Sequence, residues 1–77
     1  MTYETFLRKL GRRIKKMRLD REMTQEQMED FGDYSIPTRT LQQIEYGRRN
    51  PRMSTLFNIA HQLKVDPKDL FDFSSPE

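Results

Sequence analysis

TQEQMEDFGDYSIPTRTLQQIEYGRRN, residues 24–50, is the stretch whose reading decides the fold. The Thr24 hydroxyl can cap the first amides of a helix, and Gln27, three residues on, can reach back to complete a capping box. Met28 and Phe31 give this helix, expected over about 24–31, an apolar stripe. Gly32 is a natural stop because glycine tolerates left-handed backbone. Asp33, Tyr34 and Ser35 read as turn. A second helix, expected over about 37–46, starts near Pro37, whose missing N–H is not needed at a helix start. Ile36, Leu41 and Ile44 can point inward, leaving Thr38, Arg39, Gln42 and Gln43 on the other side. That outer face holds a cation, two amides and a hydroxyl, all able to bond base edges. It reads as a recognition surface.

Upstream, residues 1–4 are expected to be a flexible end, and a long helical pattern runs from Thr5 to about Glu22. Phe6, Leu7, Leu10, Ile14 and Met17 recur every three and four residues, one face of a helix. Gly11 weakens it by roughly 1 kcal/mol relative to alanine without breaking it. Around the stripe lie Arg8, Lys9, Arg12, Arg13, Lys15, Lys16, Arg18 and Arg21. Alone, such a set reads as a solvated helix face. A second basic group, Arg48, Arg49 and Arg52, follows the 37–46 helix, and two basic groups flanking one polar helix suit a phosphate backbone. Residues 8–21 carry eight Lys or Arg against one Asp, whereas residues 22–33 carry five acids and no base, so the charge is striped although the net value is only +2.

Downstream, Gly47 stops the helix, Arg48 to Pro51 forms a loop, and a helix is expected from about Met53 to Leu63. Its apolar face comprises Met53, Leu56, Phe57, Ile59, Ala60 and Leu63. Asp66 as cap, Pro67 at the first helical position and Asp69 as capping partner open a last, very short helix with Leu70, Phe71 and Phe73. Residues 5–73 therefore form one all-α domain of five helices, and residues 74–77 are expected to fray. At 77 residues the core is too small to enclose a catalytic cavity. Cysteine is absent, which excludes disulfides and cysteine-based metal sites. The single histidine, His61, reads as a surface position. Glu26, Glu29, Asp30 and Asp33 lack the glycine and spacing of a calcium loop. No grouping for nucleophilic catalysis and no Gly-rich phosphate loop is present, so no enzyme, metal or cofactor is expected. With neither a leader pattern nor a membrane-length apolar run, a cytoplasmic protein without a membrane partner is expected.

From Leu10 to Phe71 the chain resembles the phage-repressor-like helix-turn-helix family of the Cro/cI/Xre type. The residues that carry the likeness are Ile14, Met17 and Arg18, then Met23-Thr24-Gln25-Glu26-Gln27-Met28. They continue with Ile36, Leu41, Ile44-Glu45-Tyr46-Gly47, Arg49-Asn50-Pro51, Leu56, Ile59-Ala60, Leu63, Val65 and Leu70-Phe71. The resemblance implies a compact five-helix, lambda-repressor-like DNA-binding domain whose 37–46 helix enters the major groove of double-stranded DNA. It places Thr38, Arg39, Gln42 and Gln43 at base-contacting positions, with Arg39 suited to guanine O6 and N7. Gln25 falls where a phosphate is bound and a recognition side chain steadied. Arg48, Arg49 and Arg52 are expected to hold phosphates, with Arg13 and Arg21 as weaker candidates. The family also commonly joins the positions of Arg18 and Glu45 in a partly buried ion pair.

Two departures stand out. The interval from Thr24 to Ile36 is about two residues longer than usual, and Glu29 replaces a small residue, which implies wider or shifted packing between the helices. Tyr34 fills the enlarged turn or stacks on the DNA backbone, filling being favoured. The expected function is a sequence-specific transcriptional regulator that binds a palindromic operator as a homodimer, without a small-molecule ligand. Leu70, Phe71, Phe73 and Phe57 either form the dimer surface or close the core. The other reading is a protein-interaction module, such as an antitoxin or adaptor, built on the same fold.

Overall fold

The computed structural model describes residues 1–74, so the fraying expected of 75–77 lies outside the described residues. Four α-helices follow in order: α1 (Tyr3–Asp20), α2 (Gln25–Glu29), α3 (Thr38–Glu45) and α4 (Met53–Leu63). Two 3-10 turns complete the chain, Gly32–Tyr34 between α2 and α3 and Pro67–Phe71 after α4. The expected fifth α-helix is thus a 3-10 turn. Asp66 and Asp69 do form a capping box around Pro67, but five residues are too few to favour the α form over the tighter helix.

Helix α1 starts two residues earlier than its apolar spacing implies. The Thr5 N–H donates to Thr2 Oγ1 at 3.1 Å, so Thr2 is the cap and Tyr3 and Glu4 are helical rather than loose. It ends at Asp20 rather than Glu22. Glu22 takes a left-handed φ of 55°, and the Met23 N–H returns to the Arg18 carbonyl. Helix α2 begins with the expected Thr24–Gln27 capping box but spans only Gln25–Glu29, not 24–31. The Met28 carbonyl is taken by the Ile36 N–H at 3.0 Å and by Gln62 Nε2 at 2.7 Å, which turns the chain before Phe31. Phe31 is consequently exposed rather than part of an apolar stripe. Pro37 caps α3 from outside instead of occupying its first turn. Ser74, expected to fray, donates its N–H to Asp72 Oδ1.

Leu10, Ile14, Met17, Met28, Ile36, Leu41, Ile44, Leu56, Ile59, Ala60, Leu63 and Leu70 form one core, with Met23, Val65 and Phe73 packed against it. Helix α1 packs against α3 and the C-terminal 3-10 turn, α2 against α3, and α4 against both turns. Gly11 explains how α1 comes so near α3. A Cβ there would lie 2.4 Å from the Ile44 carbonyl oxygen and 2.6 Å from that of Glu45. The glycine that weakens α1 as an isolated helix is what lets it cross α3.

Met53 and Phe57, read from spacing as core, are exposed on α4. No helix among the described residues is long and apolar enough to cross a membrane.

Candidate nucleic-acid interface

Helix α3 buries Leu41, Ile44 and Glu45, and turns Arg39 and Gln42 fully outward, with Thr38 and Gln43 half-buried beside them. Tyr46, seven residues after Arg39 and therefore on the same side of the helix, is 63% exposed. Its spacing from Arg39 adds Tyr46 to the residues of this face. The Arg48 guanidinium lies over the Tyr46 ring, 5.2 Å from its centroid, which carries the first cation of the following loop onto the end of this face. Arg49 and Arg52 are exposed in the same loop. Gly47, at φ 71°, passes against α1, where a Cβ would lie 2.8–3.0 Å from atoms of Arg8. The exposed Arg8 therefore adjoins the basic loop, a neighbour that only the packing reveals.

The orientation of α3 is set by a buried ion pair. Arg18 Nε donates to Glu45 Oε2 at 2.7 Å and Nη2 to Oε1 at 3.0 Å, both side chains being almost wholly buried. Nη1 donates to the Met23 carbonyl at 2.7 Å, and Gln25 Nε2 adds a bond to Glu45 Oε1 at 3.1 Å. The fork-on-fork geometry matches guanidinium to carboxylate, and Gln25 engages a further lone pair on Oε1. Gln25 thus steadies a buried carboxylate of α3 rather than a side chain on its outer face.

The Thr24–Ile36 interval is held by polar contacts of its own. Gln62, buried on α4, donates to the carbonyls of Met28 and Tyr34, both at 2.7 Å. Tyr34 stacks on His61 with ring centroids 3.6 Å apart, so it packs on α4. Glu29 does not wedge α2 from α3. It is exposed, and its Oε1 accepts both the Thr38 N–H at 3.0 Å and the Thr38 hydroxyl at 2.6 Å. The hydroxyl bond first, and the amide bond second, hold its carboxyl below the usual carboxylate range. Pro37 has no side-chain cap to offer, so Glu29 supplies it from α2.

Arg13, half-buried, and Arg21, exposed, each bond carbonyls of the fold. Arg13 Nε donates to the Asp69 carbonyl at 3.0 Å, and Arg21 donates from Nε to the Leu63 carbonyl and from Nη1 to that of Met17. These guanidinia satisfy carbonyls at the ends of α1, α4 and the last turn, where amide partners run out. Thr38 keeps its place on α3, but its hydroxyl proton is committed to Glu29.

Among the described residues no group of three His, Cys, Asp or Glu could hold a metal ion. The family described as helix-turn-helix matches residues 14–70. No curated protein and no solved structure matches the chain.

Proposed function

The chain belongs to the Cro/cI-type helix-turn-helix family of DNA-binding regulators, and from that premise we propose that it reads a specific double-stranded operator through α3. The observation that supports this most directly is the outer face of α3. Arg39, Gln42 and Gln43 line it, and a basic loop of Arg48, Arg49 and Arg52 closes one end. Arg39 pairs with guanine O6 and N7, and Gln42 and Gln43 address adenine N6 and N7. Arg48, Arg49 and Arg52, with Arg8 beside them, hold phosphates and fix register. Gln25 Nε2 gives one N–H to Glu45, and its second N–H would hold a phosphate at the α2 start.

A single α3 reads only a few base pairs, so the operator is a palindrome bound by two copies, its half-sites about one helical turn apart. Of Phe57, Leu70, Phe71 and Phe73, the contact between copies would draw on Phe57 and Phe71, 55% and 39% exposed, Phe71 also stacking on Phe6. Leu70 is fully buried and Phe73 packs edge-on against Phe6, so both close the core instead.

Selection from random duplex DNA, followed by titration of the enriched site at two salt concentrations, tests the reading. A symmetric motif bound more tightly than random DNA, with about 1–3 kcal/mol of base discrimination lost in Arg39→Ala, is the expected result. Absence of a motif with purely charge-driven binding would instead favour a protein partner.

A further inference from the structure

We propose that Glu29, on α2, is itself a base-reading residue, accepting a hydrogen bond from N4 of cytosine at the start of α3. The inference rests on α3 lying in the major groove, as proposed above. Three observations meet at this residue. Its side chain is exposed, so it is open to a ligand in the groove. Its position is fixed, because one oxygen, Oε1, takes both the N–H and the hydroxyl of Thr38, the first residue of α3. Its other oxygen, Oε2, bonds no described residue and is held beside the end of α3 that enters the groove first.

The chemistry selects the base. A carboxylate that stays ionised offers only lone pairs, so it must face a donor. In the major groove the donors are the amino groups of cytosine and adenine. Adenine N6 is flanked in the groove by two acceptors, its own N7 and thymine O4, whose lone pairs repel a carboxylate, whereas cytosine N4 has an acceptor, guanine O6, on one side only. The same charge excludes a backbone phosphate from this helix end, which leaves the positioning contacts to the arginines of the loop after α3. Thr38 is then the positioning residue, holding the carboxylate in place through two bonds.

The experiment compares motifs selected from random duplex DNA by the unaltered chain, Glu29→Gln and Glu29→Ala, with melting curves of all three. The unaltered chain is expected to enrich cytosine at one position in each half-site. Glu29→Gln keeps an oxygen for Thr38 but turns an amide N–H₂ to the base, so the preference at that position alone should change from cytosine to thymine, whose O4 replaces N4. Glu29→Ala should reduce the cytosine preference there by about tenfold or more. Unchanged motifs in both variants, with affinity lowered equally for all sequences, would show Glu29 to be a cap only and overturn the proposal. A chain that enriches no motif at all would overturn the operator-reading function itself, a result distinct from unchanged motifs.

Discussion

Arg18 is joined through Nε, Nη1 and Nη2 to Glu45 and to the Met23 carbonyl, and both side chains of the ion pair are almost wholly buried. Arg18→Ala would strand the Glu45 carboxylate in the interior with only the Gln25 amide against it. Breaking one side of a buried pair costs about 3–5 kcal/mol. For a domain of this size each kcal/mol shifts Tm by about 4–8 °C, so the variant should melt at least about 12 °C lower. Calorimetry checks this, and an unchanged melt would contradict it. Loss of DNA binding in Arg18→Ala would follow from loosening of α3, since Arg18 itself is buried beneath the interface.

Between elements, the closest approach is where Gly11 of α1 crosses the carbonyls of Ile44 and Glu45. Two opposite effects meet in Gly11→Ala. Alanine favours an isolated helix by about 1 kcal/mol. The new methyl, however, would meet main-chain oxygens of α3, which cannot rotate aside as a flexible side chain can. Separating the helices should cost about 1–3 kcal/mol and outweigh the gain. A higher Tm in Gly11→Ala would show that α1 and α3 can part without loss. Helix α3 is held from two other directions as well, by Glu29 at its first residue and by Gln25 at Glu45. An eight-residue helix has little stability of its own, so its direction is a property of these contacts.

Over the whole molecule, Arg39, Arg48, Arg49 and Arg52 face solvent on or beside α3, whereas Arg13, Arg18 and Arg21 bond other parts of the fold. Each phosphate neutralised contributes about −0.9 to the slope of log affinity against log salt. Arg48→Ala and Arg49→Ala should therefore each lower the magnitude of that slope by about 1, with melting unchanged. Arg21→Ala should do the reverse, lowering Tm and leaving the slope intact, because Arg21 bonds the Leu63 and Met17 carbonyls. Titrations over a salt series on a fixed duplex separate the two groups. A reduced slope in Arg21→Ala would return that residue to the phosphate set.

The sequence by itself determined the all-α class, the α4 bounds, the Thr24 and Asp66 capping boxes, and the outward direction of Arg39 and Gln42 on α3. These depend on residues within one helical turn of one another, through periodicity and capping, and such signals survive in a bare string. Tertiary structure alone decided the rest. Arg18 meets Glu45 across 27 positions, as the family likeness implied, and its forked geometry appears only when α1 crosses α3. Arg13 reaches a carbonyl 56 positions away and Arg21 one 42 away, so neither could be told apart by sequence from the other basic residues of that stretch. Glu29 read as a misfit between helices because its partner, Thr38, becomes its neighbour only after the enlarged turn folds. The physical reason is common to all three. A polar group's role is set by which donor or acceptor lies within 3 Å or so, and that is settled by packing rather than by local propensity.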